Sequence, residues 1–294
     1  MKVFVVGIGL IGGSFILDLK SVMENLEIYG IDENEEHLEK ALELGLIDKK
    51  ADFEELKNAD LVYLAIPVDS SLKVLPRVLD IVKKDCVVID AGSTKEEICK
   101  VVAEHPNRRN YLSAHPIAGT EFSGPTAAIY GLFKNKTNII CEVEKTAFKL
   151  QEKALEIFKA IGMRIRYMDP SSHDRHIAYV SHLSHISSFM LGKTVLEKEK
   201  NERDIFDLAG SGFASTVRLA KSSPAMWTPI FSQNKKNVME TLDEYISNLK
   251  HFRKLMDEDN FEEIFSEMER TNHIKEVLNG INKSEEFKIV ENGK

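Results

Sequence analysis

The N-terminal stretch of the chain constrains its fold more than any other part of the sequence. Lys2–Val6 is apolar and β-branched without alternation, which is typical of a strand buried on both faces of a parallel sheet. The glycine-rich sequence GIGLIGG follows at once, and Ser14–Lys20 then carries apolar residues at helical spacing. A strand, the pattern G-x-G-x-x-G and a helix, in this order, predict a dinucleotide-binding βαβ unit.

The residues expected against the dinucleotide come from the glycine sequence and from the end of the next strand. The glycine sequence contributes Gly7, Gly9, Leu10, Ile11 and Gly12. The second predicted strand, Leu26–Ile31, ends at Asp32, about 20 residues further on, where a carboxylate accepts hydrogen bonds from the adenosine ribose. No Arg or Lys follows in residues 33–36 to offset the repulsion between Asp32 and a 2′-phosphate, so we expect NAD rather than NADP.

Strand and helix patterns alternate as far as residue 168. Further strands are predicted over Ala59–Ile66, Cys86–Ile89, Tyr111–Ala114, Thr137–Glu142 and Met163–Tyr167. The helices between them are predicted over Glu35–Leu44, Leu72–Val82, Lys95–Glu104 and Thr146–Ile161. Repeated βα units of this kind indicate an α/β, doubly wound, Rossmann-like dinucleotide-binding domain with a mainly parallel sheet over residues 1–168.

Beyond residue 168 the strand patterns stop and nearly every segment is helical. The predicted helical segments are Ser172–Lys200, a stretch around Glu202–Leu208, Ala214–Ser222, Pro229–Met256 and Phe261–Asn279. We therefore expect an all-α domain for substrate binding and dimerisation over residues 169–282, followed by a polar tail over residues 283–294. The last two helices carry more apolar surface than a small helical domain needs, which predicts a homodimer through them.

Composition excludes several classes of partner. The formal net charge of −8 argues against a nucleic-acid-binding surface, which is normally basic. The three cysteines are far apart and odd in number, which favours neither a disulfide framework nor a metal site and predicts a reducing, cytoplasmic setting. No apolar stretch reaches the length that spans a bilayer, so no membrane association is expected.

Catalytic candidates gather at the carboxyl ends of the predicted strands, where doubly wound sheets bind their ligands. Besides the glycine sequence and Asp32, those ends carry Pro67, Ser93 in the sequence DAGSTK, and His115. Pro116 favours an extended backbone at His115, and the near-neutral pKa of imidazole suits it to accept a proton from a hydroxyl. A histidine beside a proline is also common as a hydrogen-bonded turn residue, but the converging strand ends place His115 near the nicotinamide end of the cofactor.

The helical half contains two pairs of histidines spaced by three residues, His173 with His176 and His182 with His185. Such spacing places both members of a pair on one helix face. It can serve a metal, but no H-E-x-x-H sequence or cysteine accompanies it, so no metal site is predicted. We expect His173 and His176, at the start of a helix, to be solvated or capping residues.

Three other residues have two interpretations each. Arg218 has a guanidinium suited to a carboxylate ligand, or it lies on an exposed helix face. Glu121 pairs with an arginine or is solvated. Trp227, the only tryptophan, is more often a core residue than a ligand contact.

Five sequence motifs occur in a fixed order along the chain. GIGLIGGS at residues 7–14 is shared by many dehydrogenases, and it is followed by DAGSTK at residues 90–95. HPIAGTE at residues 115–121 and SHLSH at residues 181–185 are far more specific, and RLAKSSPAMW begins at Arg218. Together they resemble the prephenate dehydrogenase family of tyrosine biosynthesis over nearly the whole chain. Many relatives carry a glycine triplet where this chain reads AGSGF, with Ser in the middle.

The resemblance implies that NAD⁺ accepts a hydride from C4 of prephenate, giving 4-hydroxyphenylpyruvate, CO₂ and NADH. By the family pattern His115 is the base at the C4 hydroxyl, Ser93 assists in positioning that hydroxyl, and Arg218 binds the ring carboxylate. His185 would contact the pyruvyl side chain. The other substrate-site residues that the resemblance implies are Thr120, Glu121, Trp227 and His182.

Three alternatives stay open. Arogenate dehydrogenase performs the same chemistry with an amine in place of the side-chain ketone, and His185 favours the ketone. A β-hydroxyacid dehydrogenase shares the glycine loop and a helical second domain, but it is expected to use a lysine where this chain has His182 and His185. From a different class, an NAD-binding sensor without turnover would have no reason to combine Ser93, His115 and Arg218.

Overall fold

The structure is a computed structural model that describes residues 1–200 and 204–279. The predicted polar tail over residues 283–294 lies outside the described residues, as do Glu202 and Arg203 of the predicted helical stretch. The chain divides into two compact units, of which the first is Met1–Val238 and the second begins at Met239. Within the described part of the chain, no helix has both the length and the apolar character needed to cross a bilayer.

Among the described residues, eight strands form one sheet in the order β3-β2-β1-β4-β5-β6-β7-β8. Their bounds are β1 Lys2–Val6, β2 Glu27–Ile31, β3 Lys49–Lys50, β4 Leu61–Leu64, β5 Val87–Asp90, β6 Tyr111–Pro116, β7 Thr137–Cys141 and β8 Arg164–Met168. Strands β1 to β6 run parallel, β7 is antiparallel to β6, and β8 is parallel to β7. The predicted doubly wound, mainly parallel sheet is confirmed.

The first strand explains why its sequence does not alternate. Val3 and Val5 belong to one buried apolar cluster, whereas Phe4 and Val6 belong to the cluster on the opposite face of the sheet. Because both faces are covered, every position of such a strand is apolar. The short strand β3 was not predicted, since its two residues are lysines.

Helices of the first unit cover both faces of the sheet and continue beyond its last strand. Their bounds are α1 Leu10–Val22, α2 Glu35–Glu43, α3 Val68–Ile81, α4 Glu96–Val101, α5 Phe148–Ala160, α6 Pro170–Ile177, α7 Leu183–Glu199, α8 Ser211–Thr216 and α9 Pro224–Gln233. Helix α10, Lys235–Asp257, begins in the first unit, and α11, Phe261–Thr271, lies in the second. Helix α6 packs on α4 and α9 packs on α3, while the domain boundary at residue 168 stays a prediction.

Several predicted helix limits are wrong, and the cause is local. Helix α1 begins at Leu10, inside the glycine sequence, instead of at Ser14, because Gly9 serves as its N-cap. Helix α3 begins at Val68, directly after Pro67, which is its N-cap. Helix α4 ends at Val101, earlier than predicted.

Two long helices predicted as continuous are interrupted near the site. Between α6 and α7, Ala178–His182 forms a π-helical turn. Such a turn holds one residue more than an α-helical turn, so it changes the helix face on which the following residues lie. The predicted helix Pro229–Met256 is divided at Asn234 into α9 and α10. At this break, Nδ2 of Asn234 donates to the carbonyl oxygen of Asp174 in α6 at 2.6 Å, so the Asn234 side chain contacts α6.

The connection between β6 and β7, residues 117–136, folds back onto α1. The backbone N–H of Ile129 donates to Oγ of Ser14 at 2.9 Å, and the N–H of Gly131 donates to Oδ1 of Asp18 at 2.5 Å. Because β7 is antiparallel to β6, this connection begins and ends at the edge of the sheet that also carries the glycine sequence.

Candidate active site

The glycine sequence between β1 and α1 forms a tight turn with one open side. Gly7 has φ +92°, and a Cβ built there would lie 2.5 Å from the carbonyl oxygen of Ala65. A Cβ on Gly12 would lie 2.0 Å from the carbonyl oxygen of Gly7, whereas a Cβ on Gly9 meets nothing within 4 Å. No side chain of the described residues caps α1, so the N–H groups of its first turn are available to an anion. This geometry fits a pyrophosphate above Gly9.

Asp32, at the end of β2, is tied to the glycine turn. Its Oδ2 accepts a hydrogen bond from the N–H of Ile8 at 2.8 Å, and its Oδ1 accepts one from the N–H of Asn34 at 2.9 Å. Nδ1 of His37 lies 3.5 Å from the same Oδ1. A carboxylate has about four acceptor positions, so Asp32 can also accept from ribose hydroxyls.

The other residues of the predicted cofactor site lie at the same edge of the sheet. Leu10 and Ile11 form the first turn of α1, with Leu10 buried and Ile11 half-buried. Pro67 is exposed at the turn between β4 and α3. Each of these residues is brought to the edge by a parallel strand, as the topology requires.

His115 lies at the carboxyl end of β6, where it is buried and hydrogen-bonded to a second histidine. Its Nδ1 is 2.8 Å from Nε2 of His173, and Nδ1 of His173 is 2.8 Å from Oδ1 of Asp174. The expectation that His173 is solvated is therefore wrong, because α6 packs on α4 and directs His173 inward. His176, on the same helix, is exposed, as predicted.

Asp174 joins the hydrogen-bonded pair His115–His173 to the start of α4. Its Oδ1 accepts from the backbone N–H of Lys95 at 2.8 Å, and its Oδ2 accepts from the N–H of Glu96 at 3.0 Å. Neither Asp174 nor His173 was predicted to belong to the site. The only signal in the sequence was their position beside each other in a helix, which by itself is common.

A fully buried lysine lies beside His115 and also escaped prediction. Nζ of Lys95 is 2.5 Å from Oδ2 of Asp90, and it donates to the carbonyl oxygen of Ala114 at 2.7 Å. The hydroxyl of Tyr111 donates to Oδ1 of Asp90 at 2.7 Å. Because Lys95 is paired and hydrogen-bonded, its charge is compatible with complete burial.

Burial and neighbouring charge keep the imidazoles neutral. Burial lowers the pKa of His115 well below its ordinary value, and His173, Lys95 and His182 lower it further. Burial also lowers the pKa of His173, although the hydrogen bond to Asp174 acts in the opposite direction. A neutral His115 can accept a proton at pH 7, which is the requirement for a general base.

A second cluster surrounds Trp227. The ring of His185 stacks on Trp227 with 3.5 Å between centroids, and the ring of His182 meets Trp227 edge-on at 5.8 Å. His182 is fully buried with its Nδ1 3.2 Å from Nδ2 of Asn234, and burial lowers its pKa to about 4. Nδ1 of His185 donates to the carbonyl oxygen of Ser181 at 2.9 Å, which leaves its Nε2 as an acceptor.

Arg218 and Glu121 form an ion pair at the surface of the first unit. Nη1 of Arg218 lies 3.3 Å from Oε2 of Glu121, and the Arg218 side chain is 52% exposed. Thr120 accepts a hydrogen bond from the backbone N–H of Phe122 at 3.2 Å. Ser93 is half-buried, and among the described residues no hydrogen bond joins it to His115.

Comparison with known proteins identifies the family. Residues 15–167 match the family described as prephenate dehydrogenase, nucleotide-binding domain, and residues 169–270 match prephenate dehydrogenase, dimerization domain. The chain belongs to the prephenate dehydrogenase family.

Individual relatives agree with this family over most of the chain. A prephenate dehydrogenase of Bacillus subtilis (strain 168) is 31% identical over 267 residues, which are 90% of this chain and 72% of the relative. The crystal structure of prephenate dehydrogenase from A. aeolicus in complex with hydroxyphenyl propionate and NAD⁺ is 30% identical, with a TM-score of 0.85 over 95% of this chain and 98% of that chain. Synechocystis arogenate dehydrogenase is 25% identical, with a TM-score of 0.73 over 95% of this chain and 100% of that chain.

Proposed function

We propose that this chain catalyses the NAD⁺-dependent oxidative decarboxylation of prephenate to 4-hydroxyphenylpyruvate. The observation that carries the proposal is the neutral, buried His115 at the carboxyl end of β6, at the same sheet edge as the glycine turn. A base at that place removes a hydroxyl proton from a substrate held against a nicotinamide. Family membership favours this enzyme over a β-hydroxyacid dehydrogenase or a sensor without turnover.

The first unit has the features that hold NAD⁺. The open side of Gly9 and the uncapped start of α1 suit a pyrophosphate, and Asp32 suits the ribose hydroxyls while repelling a 2′-phosphate. When bound, NAD⁺ supplies the hydride acceptor. The A. aeolicus relative was crystallised with NAD⁺, which supports the same cofactor here.

His115 moves one proton in each direction during the reaction. Its Nε2 accepts the proton of the C4 hydroxyl as the C4 hydride leaves, so that C4 becomes a carbonyl carbon. The ring carboxylate then departs as CO₂, its bonding electrons enter the ring, and the C4 oxygen becomes a phenolate. The His115 imidazolium returns the proton to that oxygen, which restores the neutral base.

The roles of the remaining substrate-site residues are those that the family resemblance implies, and their chemistry is compatible with them. Arg218 binds the ring carboxylate, and Glu121, at 3.3 Å, holds its guanidinium in place until the substrate arrives. His185, stacked on Trp227, contacts the pyruvyl side chain. Ser93 positions the C4 hydroxyl, while Thr120 and His182 support this arrangement.

A direct assay tests the proposal. Purified protein mixed with prephenate and NAD⁺ should produce NADH, 4-hydroxyphenylpyruvate and CO₂ in equal amounts. In the His115→Asn variant, kcat should fall by about 10²–10⁴-fold while NAD⁺ still binds, because general-base catalysis contributes about that factor. The exposed His176 provides a matched control, since His176→Asn should leave kcat unchanged. Turnover near that of the wild type in His115→Asn would remove His115 from the mechanism.

Arogenate is the second candidate substrate, because the Synechocystis relative is an arogenate dehydrogenase. Arogenate carries an ammonium where prephenate carries a ketone. Burial lowers the pKa of His185, and the positive charge of Arg218 lowers it further, so the surroundings of His185 oppose additional positive charge. We therefore expect kcat/KM to be higher for prephenate, and measuring both substrates side by side tests this order.

We further propose a homodimer that forms through α10 and α11. The match of residues 169–270 to a dimerization domain supports it. So do the exposed large apolar side chains of these helices, which are Met239, Ile246, Leu249, Phe252, Met256, Phe261, Phe265 and Met268. Light scattering at micromolar concentration should give a dimer, and Phe265→Asp should weaken it more than Glu269→Ala does. A monomeric wild type would contradict this proposal.

A cytoplasmic location is also part of the proposal. The three cysteines are buried and unpaired, and burial raises the pKa of each thiol, so they remain protonated and unreactive. Full labelling of all three thiols in the denatured protein as isolated from cytoplasm is the expected result.

A further inference from the structure

The hydrogen bonds around Asp174 leave a single arrangement of protons on the two imidazoles. The backbone N–H groups of Lys95 and Glu96 can only donate, so Asp174 accepts from both of them. As a carboxylate, Asp174 also accepts from Nδ1 of His173, which must therefore carry a proton. A neutral His173 then has a lone pair on Nε2, and this lone pair accepts from Nδ1–H of His115.

The same arrangement determines which nitrogen of His115 is basic. With its proton on Nδ1, a neutral His115 has its lone pair on Nε2. Among the described residues, no hydrogen bond engages that Nε2. The free lone pair is thus at the atom that the proposed reaction needs.

We infer that His173 is a positioning residue for the proposed reaction, holding His115 in the Nδ1–H tautomer through the buried series His115–His173–Asp174. This inference rests on the proposed function, because it assigns a role to His173 through the base. His173 itself contacts neither substrate nor cofactor in this role.

The series also stabilises His115 after it has accepted the substrate's proton. The new imidazolium donates from Nδ1 to His173, and the charge of Asp174 lies one imidazole away. These groups are held in place by α4 and α6, so little rearrangement accompanies proton transfer. A carboxylate that orients the base through a hydrogen bond has the same effect in serine proteases.

The other titratable groups near His115 and His173 do not provide an alternative hydrogen-bond partner for these two histidines. Nζ of Lys95 donates to Asp90 and to the carbonyl oxygen of Ala114, and within the described part of the chain no hydrogen bond joins it to either histidine. His182 hydrogen-bonds to Asn234. Burial opposes protonation of His115, and Lys95 and His182 oppose it further, whereas Asp174 favours protonation of His173.

A purely structural role is the competing explanation, since Asp174 ties α6 to α4. A structural tie would change the free energy of unfolding when removed, but it would not determine the tautomer of His115. Nor would it move the pH at which activity is lost. The tautomer and the pH profile therefore separate the two roles.

The first experiment reads the tautomer without substrate. Long-range ¹H–¹⁵N correlation spectra of the full chain, labelled at histidine, distinguish a protonated ring nitrogen from one with a lone pair. We expect His115 and His173 both to be protonated at Nδ1 and unprotonated at Nε2, with His115→Asn and His176→Asn spectra used to assign the signals. A proton on Nε2 of neutral His115 would overturn the inference whether or not prephenate is the substrate.

The second experiment compares two substitutions of His173 in the full chain. His173→Leu removes the acceptor, so kcat for prephenate should fall by about 10²–10³-fold while KM stays within about twofold. In His173→Gln the amide oxygen can still accept from His115, so kcat should stay within about tenfold of the wild type. The exposed His176→Leu on the same helix should change neither constant.

The pH profile gives the readout that a structural role does not change. A charged His173 opposes protonation of His115, but the neutral His173 of this arrangement accepts a hydrogen bond from the His115 imidazolium and stabilises it. Without that acceptor the imidazolium is less stable, so the acid limb of kcat/KM should move to lower pH in His173→Leu. Wild-type turnover of prephenate tests the proposed function separately from this comparison. If the wild type is active and His173→Leu keeps its kcat and its acid limb, the positioning role is refuted.

Discussion

Acid should destabilise the first unit through His182. In the folded chain this residue is fully buried, and its Nδ1 accepts from Asn234. Its Nε2 is buried without a hydrogen-bond partner among the described residues. Protonation would place a positive charge in this environment and would turn the acceptor Nδ1 into a second donor facing Asn234. Burial therefore lowers the pKa of His182 to about 4.

The size of the effect follows from the two pKa values. An unfolded chain binds the proton below pH 6.5, whereas the folded chain resists it until about pH 4. Stability is thus complete above pH 6.5 and decreases as the pH falls towards 4, because the unfolded state binds more protons in that range. At about 1.4 kcal/mol for each pH unit, the titration of His182 alone should lower the free energy of unfolding by about 2 kcal/mol at pH 5 and by about 3 kcal/mol at pH 4.

Trp227 provides the assay, because it is the only tryptophan and its ring meets that of His182 at 5.8 Å. Urea unfolding followed by its fluorescence at about pH 8 and about pH 5 gives the free energy of unfolding of this region. In His182→Gln the neutral amide does not titrate, so stability should fall by about 2 kcal/mol less between these two pH values than in the wild type. The other titrating groups are common to both proteins and cancel. Equal decreases in the two proteins would refute the assignment.

Three further substitutions test the substrate and cofactor sites. Arg218→Ala should raise KM for prephenate by about 10–100-fold, which is the effect of losing a charged hydrogen bond. The Kd for NAD⁺, measured by calorimetry, should not change. Equal effects on both ligands would indicate a structural role for Arg218. Gly12→Ala places a Cβ 2.0 Å from the carbonyl oxygen of Gly7, so NAD⁺ binding should be lost by calorimetry, and retained affinity would contradict the tight turn. Asp32→Asn should reduce the preference for NAD⁺ over NADP⁺, measured as the ratio of kcat/KM values, because it removes the charge that repels a 2′-phosphate.

The parts of the fold that were predictable depend on local pattern. Strand β1 and the turn around Gly9 follow from neighbouring residues, since apolar runs, glycines and helical spacing are all short-range signals. His115 was found because topology alone brings strand ends to one edge of the sheet. The proposal that His115 acts as a base needs only the order of elements and no knowledge of any side-chain contact.

The residues that escaped prediction depend on contacts between distant parts of the chain. His173 is buried because its neighbour Asp174 accepts hydrogen bonds from the start of α4, where Glu96 lies 78 positions before Asp174 in the sequence. Lys95 tolerates burial because Asp90 and the Ala114 carbonyl converge on it from two strands. Nothing in a short window of sequence distinguishes such a histidine or lysine from a solvated one, because histidine occurs both buried and exposed and lysine is mostly exposed.

The interruptions in the two long helices also escaped prediction because they depend on contacts between distant parts of the chain. A π-helical turn at Ala178–His182 and a break at Asn234 involve residues that occur in ordinary helices. Asn234 ends α9 and bonds to the Asp174 carbonyl and to His182, so its role is visible only when all three are in place. Periodicity predicted the existence of these helices but not their interruptions.

The connection between β6 and β7 differs from an ordinary surface loop in what it can tolerate during evolution. Residues 117–136 begin directly after β6, which carries the proposed base His115. Their Glu121 pairs with Arg218, and their backbone is hydrogen-bonded to Ser14 and Asp18 of α1. Surface loops commonly gain or lose residues at little cost. Here an insertion would displace Glu121, the partner of the arginine that we propose to bind substrate, and the helix that follows the glycine turn at the same time. The proposed substrate and cofactor sites would therefore both constrain the length of this segment, so adaptation to a new substrate should proceed by changes of side chain rather than of length.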